Sequence, residues 1–392
     1  MRDESVSSYN MKLLSMLPLL TASLIFTSVQ APAEVKLPKL FSSHMVLQRD
    51  MPIHVWGEAT PGEPVAVSLQ NASATAIADK SGRWSVYLAA RPAGGPFTLS
   101  VHASNTLQFD DILIGDLWMA SGQSNMELPL KGYNPATQVH DSAREIANAS
   151  HPQIRLFLVQ HDASDYPLND VKAATGWSIC SPDSATDFSA VAYFFGRAIQ
   201  QKENVPIGLI DASWGGSPAD AWTSMDTLAF DASLLPVFGN RATRMNLEAA
   251  RHHLEPADAQ ADAAAQGKPR EFHPGEISWQ PAALYNAMIA PFTPLPIRGV
   301  LWYQGESNAQ PNLVALYRRL FPAMIQDWRS QWHQEDLPFL FVQLAAYQAD
   351  PRDVWGLLRE AQRHTLYLAN TGMAVTIDIG NEHSPPPPTS RM

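Results

Sequence analysis

The chain has 392 residues and a formal net charge of −11, with 45% hydrophobic and 17% charged residues. That composition describes a folded globular protein and excludes a disordered one, while the acidic balance without a long basic run argues against nucleic acid as a partner. One cysteine, Cys180, excludes an intramolecular disulfide and a cysteine-rich metal site; "GWSICSPDSATDFSA" gives it no evident base, so it reads as a buried thiol.

The first segment, residues 1–33, reads as an export signal. "MKLLSMLPLLTASLIFTSVQAPAEV" sets Lys12 before an apolar stretch from Leu13 to Val29, then small residues around Ala31 and Ala33. Met11 is a candidate start. A short membrane anchor is the competing reading, but Pro18 interrupts the run. The expectation is a secreted or periplasmic protein with no membrane span in its mature form.

Residues 35–112 predict an all-β unit. "HMVLQRD", "PIHVWGEA", "PVAVSLQ", "ATAIAD", "RWSVYLAA", "FTLSVHA" and "LQFDDILIG" are short, several alternate apolar with polar, and turn signals such as "PGEP", "KSGR" and "AGGP" separate them. Strands at this spacing predict a small β-sandwich of immunoglobulin type, an accessory to whatever follows.

From Leu113 to Gly380 apolar strand-like runs alternate with helical periodicity. Strands are expected at "ILIGDLWMA", "IRLFLVQ", "PIGLIDAS", "RGVLWY", "LPFLFVQLAAY" and "TGMAVTIDIG". Helices are expected at "FSAVAYFFGRAIQQ", "LVALYRRLFPAMIQDWRSQW" and "VWGLLREAQRHTLYLA". This is the pattern of an α/β fold with a parallel sheet covered on both faces. Residues 245–275, rich in Ala, Glu, Asp and His, read as a helical excursion. The 11 Trp are expected mostly in the core, although an exposed Trp can stack on a sugar ring.

Three glycine-containing turns directly follow three of these strands: "SGQSNME", "SWGGSPADAW" and "YQGESNA". Ligands of open parallel sheets bind beyond the carboxyl ends of the strands, where such loops converge. Ser124 offers a hydroxyl. Its own amide, the Gly216 amide and the Asn308 side chain offer hydrogen-bond donors for an oxyanion. Each turn alone has an ordinary structural explanation, a tight bend or a helix cap. Their occurrence at equivalent places is what points to acyl transfer. No metal-ligand spacing, phosphate loop or dinucleotide fingerprint is present, and the chemistry needs no cofactor.

In combination and order, "LWMASGQSNMELPL", "DASWGGSPADAW" and "GVLWYQGESNA" resemble the nucleophile, glycine and asparagine blocks of the sialate O-acetylesterases, a branch of the SGNH-type serine hydrolases. The resemblance runs from about Leu37 to Gly380. It implies a flavodoxin-like SGNH domain preceded by the β-sandwich. It implies Ser124 as nucleophile, with the amides of Ser124 and Gly216 and the Asn308 side chain as oxyanion hole. Gln123, Gln304 and Glu306 would shape the substrate pocket. The implied substrate is an O-acetylated sugar, foremost a sialic acid, with acetyl-xylan or another sugar acetate as the alternative; a non-catalytic sugar-binding protein or a catalytically inactive truncated product is the reading from another class.

The resemblance also implies an Asp and a His three residues apart after the last strand. Here "VTIDIGNEHSPPPPTSRM" stands at that place. Asp378 is expected within the strand, His383 is the one His that follows it, and Gly380 occupies the position three before it. The Pro-rich residues 381–392 therefore depart from the family pattern, as though the frame were lost before the acid–base block, and His383 is the candidate base. His364, His44, His252 and His253 are weaker candidates. No covering helix is expected after the last strand, which would leave one apolar face of the sheet open.

Overall fold

A computed structural model describes residues 34–134, 137–172, 176–240, 277–347 and 352–380. The apolar N-terminal stretch, the excursion about 245–275 and the Pro-rich tail, with His252, His253 and His383, lie outside the described residues.

All seven short strands expected at the start are present: β1 (Val46–Gln48), β2 (Ile53–Glu58), β3 (Pro64–Leu69), β4 (Ala72–Ile77), β5 (Arg83–Leu88), β6 (Gly94–His102) and β7 (Thr106–Gly122). β2 and β5 pair antiparallel as one small sheet, and β4, β3, β6 and β7 pair antiparallel in that order as a second. Val55, Val65, Val67, Trp84, Val86, Leu99 and Val101 are buried in the core. Their alternation with outward polar residues is the period of two that a pleated strand imposes.

β7 does not end with that unit. Its first residues, Thr106–Asp111, alternate between exposed and half-buried, whereas every residue from Ile112 to Gly122 is buried. Within that stretch Ile112 and Ile114 still pair antiparallel with β6, and Trp118–Gly122 pairs in parallel with a strand on each side, where the sequence becomes a continuous apolar run. The change of texture at Leu113 is thus a change of surroundings within one strand.

The remaining strands are β8 (His151–Leu158), β9 (Ser178–Cys180), β10 (Ile207–Ser213), β11 (Gly299–Tyr303), β12 (Phe339–Val342) and β13 (Thr371–Ala374). The sheet order is β13-β12-β11-β7-β10-β8-β9, parallel except for the edge strand β9. Numbered along the chain, β7, β10, β11, β12 and β13 take the order 2-1-3-4-5 of a doubly wound flavodoxin-like sheet, with β8 and β9 appended outside β10. The helices are α1 (Ser124–Glu127), α2 (Ser142–Ala147), α3 (Pro182–Thr186), α4 (Ala190–Glu203), α5 (Met225–Phe230), α6 (Val314–Gln331) and α7 (Arg352–His364). Nine of the 11 Trp are buried, Trp222, Trp302 and Trp328 fully so; Trp56 and Trp214 are the two that are not.

The last strand is shorter than the sequence suggests. β13 stops at Ala374, opposite Val342, because β12 supplies no further partner. The Thr376 hydroxyl then donates to the Gln343 carbonyl at 2.6 Å, and the Ile379 amide closes a turn on the Thr376 carbonyl at 3.2 Å. Asp378 therefore lies in an exposed turn and not in a strand. On the β11–β13 face, beside α4, an apolar groove of about 560 Å³ opens among Met126, Phe194, Leu301, Leu340, Val342 and Met373. No helix among the described residues is long and apolar enough to cross a membrane.

The β-unit is fixed to the α/β sheet by charge as well as by β7. Arg155 on β8, its side chain 4% exposed, forms a forked pair with Asp111 on β7, and His44 Nδ1 lies 2.7 Å from the same carboxylate. The hydrogen bonds from Arg155 hold the Asp111 carboxyl below its ordinary pKa. His44 is thereby a junction residue.

Candidate active site

The three glycine turns meet because their strands are immediate neighbours. β7 lies between β10 and β11, with Gly122 opposite Ser213 on one side and Tyr303 on the other. This is the switch point of the sheet, where successive connections leave in opposite directions and a crevice opens. Gly122 has φ +141°, and a Cβ there would sit 2.2 Å from the Tyr303 carbonyl oxygen. Only glycine fits this position. Its carbonyl accepts the Trp214 amide at 3.0 Å, and the next amide, of Gln123, donates to Tyr303 at 2.9 Å.

Ser124 follows as the first residue of α1, half-exposed, with Gln123 capping in extended conformation. Its hydroxyl has no hydrogen-bond partner among the described residues, and neither does its amide, one of the donors a helix start leaves free. Gly215 packs against it, since a Cβ on Gly215 would lie 3.5 Å from the Ser124 Cβ. Gly216 adopts φ +73°; its carbonyl accepts the Ser307 hydroxyl at 2.7 Å, and its amide is unpaired among the described residues.

The orientation of Asn308 follows from its neighbours. Its Oδ1 accepts the Ala219 amide at 2.9 Å and Gln304 Nε2 at 2.7 Å. A backbone amide can only donate, so the atom facing it must be the oxygen, and Nδ2 is left without an acceptor among the described residues. Gln304, fully buried, also donates to the Ser217 carbonyl at 3.3 Å. Gln123, 3% exposed, accepts the Gly305 and Ser307 amides on Oε1, each at 3.2 Å. Both glutamines stand behind the loops and fix the spacing of one turn to the next. Asn125 Nδ2 donates to Glu306 Oε1 at 2.6 Å, and burial pushes the Glu306 carboxyl up to about 7.

Three residues near Ser124 carry no signal in the sequence. Glu127 Oε2 accepts the Gly215 amide, and its Oε1 lies 3.1 Å from His161 Nε2. His161 stacks on Trp214, ring centroids 4.3 Å apart. Tyr133 donates its hydroxyl to the Ser124 carbonyl at 2.8 Å. Nothing in the spacing of residues 127, 133 and 161 brings them together before the fold is known. His364 ends α7 against Tyr367 and makes no bond to the three turns. Cys180 is buried, its thiol pushed up to about 12 by burial, as a structural cysteine is. No cluster of His, Cys, Asp or Glu suited to a metal occurs among the described residues.

A parallel 2-1-3-4-5 sheet with a serine, a glycine and an asparagine on adjacent strand ends is the fold of the SGNH hydrolases. A family model for carbohydrate esterases, the sialic acid-specific acetylesterases, matches residues 272–384. Sialate O-acetylesterase of Mus musculus is 31% identical over 380 residues, covering 88% of this chain and 68% of that one; the Homo sapiens protein is 29% identical over 378 residues, 88% and 65% respectively. The crystal structure of a carbohydrate acetylesterase from Xanthomonas citri, 36% identical, superposes with a TM-score of 0.75 over 91% of this chain and 71% of that one. The chain belongs to the sialate O-acetylesterase family, and its activity is that of a carbohydrate O-acetylesterase.

Proposed function

We propose that the chain removes O-acetyl groups from sugars through an acetyl-enzyme on Ser124. The observation that carries this is the set of three donors without an acceptor among the described residues, the amides of Ser124 and Gly216 and Nδ2 of Asn308, on the turns around the half-exposed Ser124 hydroxyl. Ser124 Oγ attacks the acetyl carbonyl, the three donors take the oxyanion, the sugar alcohol leaves, and water releases acetate. Gln123 and Gln304 hold the turns at the required separation, and Glu306 shapes the pocket behind them. His383 is the proposed base that accepts the Ser124 proton, the position after the last strand being where the family carries its imidazole.

O-acetylated sialic acid is the substrate we favour, from the names of the mammalian relatives. The Xanthomonas relative, named only as a carbohydrate acetylesterase and more similar in sequence, supports acetyl-xylan or another sugar acetate as the second reading. The N-terminal unit is read as an immunoglobulin-like accessory sandwich, and the basic-then-apolar start as an export signal that delivers the enzyme to the periplasm or outside the cell. Release of acetate from a panel of acetylated sialic acids and acetyl-xylan, measured for the wild type and for Ser124→Ala, tests the assignment. Wild-type turnover in Ser124→Ala would refute the nucleophile, and the panel ranks the sugars.

A further inference from the structure

We propose that Glu127 and His161 form a latch that positions the oxyanion-binding loop after β10, with Glu127 as its positioning residue. This rests on the esterase reading for its catalytic consequence, though not for its structural test.

Glu127 lies three residues after Ser124, at the end of α1, and is partly buried. One carboxylate next to a serine that must carry negative charge in the transition state would, left to itself, oppose the reaction. Here both of its oxygens are engaged. Oε2 takes the Gly215 amide, and Oε1 faces His161 Nε2 at 3.1 Å. The same Nε2 is 3.2 Å from the Ser213 carbonyl oxygen. Both of its neighbours are acceptors, so this nitrogen carries the hydrogen. The imidazole plane lies on Trp214 at 4.3 Å with an interplanar angle of 4°.

Three consecutive residues of the loop are therefore held by two side chains: Ser213 through its carbonyl, Trp214 through its ring and Gly215 through its amide. Gly216 is untouched by either. Because Glu127 uses the Gly215 amide, the Gly216 amide is the one the loop keeps for a ligand. The latch thus selects which of two adjacent glycine amides faces the reacting carbonyl. Of the other ionisable groups nearby, Tyr133 is bonded to the Ser124 carbonyl and its hydroxyl also meets the Glu127 carboxylate, and Asp211 accepts the Ser213 hydroxyl from within the sheet. Neither touches Gly215.

The test compares Glu127→Ala, Glu127→Gln and His161→Ala with the wild type. In Glu127→Ala, kcat toward an acetyl ester should fall about 10-fold or more, less than the loss of a whole donor, with KM within about twofold. Glu127→Gln, which keeps an oxygen for the Gly215 amide, should recover most of that loss. Hydrogen–deuterium exchange of the peptide spanning 213–217 should quicken in Glu127→Ala, less in His161→Ala, and stay near wild type in Glu127→Gln and Ser124→Ala. Unchanged exchange in a folded Glu127→Ala overturns the latch whatever the activity. A glutamine variant as impaired as the alanine one overturns it too, by showing that the charge and not the hydrogen bond matters. Should Glu127→Ala fail to fold, the exchange of His161→Ala against Glu127→Gln decides in its place. A wild type inactive on every acetyl ester would sink the esterase reading while the exchange still decides the latch.

Discussion

The two halves of β7 have the same backbone and opposite surroundings. Thr106–Asp111 pairs antiparallel with β6, alternates in exposure, and ends at Asp111, whose carboxyl Arg155 holds below its ordinary pKa. Ile112–Gly122 is buried throughout, its last five residues, Trp118–Gly122, pair in parallel on both sides, and it ends at the turn carrying Ser124. The carboxyls around that second end are pushed the other way: burial raises Asp211 and Glu306 to about 7. One end of the strand is built for attachment, with its charge compensated. The other keeps three donors free of acceptors among the described residues and holds two carboxyls, Asp211 and Glu306, by neutral hydrogen bonds, as suits a site that must stabilise a transient charge.

The largest effect that would test this contrast is on Ser124. Ser124→Ala should lower kcat/KM on an acetylated sugar by about 10⁴-fold or more while the melting temperature stays within a degree or two. An equal loss of stability would make the turn an attachment point like the other end. Next comes Asn308. Asn308→Ala should cost about 10²–10³ in kcat with KM little changed. Asn308→Asp sharpens the test, because it keeps the acceptor for the Ala219 amide and removes only the donor; it should be as inactive but more stable than the alanine variant.

At the attachment end the pattern should reverse. Arg155→Ala leaves Asp111 without its fork, and should cost about 2 kcal/mol in urea unfolding, below the ~3–5 of a fully buried pair because Asp111 is 29% exposed. Turnover per folded molecule should be unaffected. A smaller effect is expected from pH. Asp211 and Glu306 have folded pKa values above their unfolded ones, so they favour folding when protonated, and stability should decline as pH rises from about 4 to about 7. Asp111 has the opposite sign: its contribution is present above its unfolded pKa and is lost as pH falls through the depressed folded value. Melting temperature against pH should therefore peak on the mildly acidic side; Asp211→Asn should flatten the limb above the peak and Arg155→Ala the limb below it. The smallest effect is expected at Ile77 on β4, 71% exposed, where Ile77→Ser should change stability by less than about 0.5 kcal/mol and activity not at all.

The strands, their alternation with helices and the three turns were legible in the sequence because each is a local pattern. Seven short strands before residue 122 and a buried run into "SGQS" need only period and turn chemistry. The contact of the turns is legible as well, since all follow strands of one sheet. What was not legible depends on distant pairs. The Asn308 amide is oriented by the Ala219 amide, 89 residues earlier. Glu127 and His161 meet only through the return of β8 beside β10. Gln123 and Gln304, expected to line the pocket, are turned into the protein to bind loop backbone, a choice that residue type alone does not make. The end of β13 is hidden for a similar reason: "TGMAVTIDIG" has strand character throughout, but a strand extends only as far as its neighbour.

The continuity of β7 also has a mechanical consequence. A tether or a bound polymer that pulled on the N-terminal unit would load a single backbone from Thr106 to Gly122, with no linker to stretch first. The hydrogen bonds of the parallel neighbours run across that line, so they would resist in shear, many at once, instead of peeling singly. Tension on the outer unit would arrive at the serine turn undamped, and a crystallisation or display strategy that anchors the chain by residues 35–105 holds the reacting end rigidly in register with the anchor.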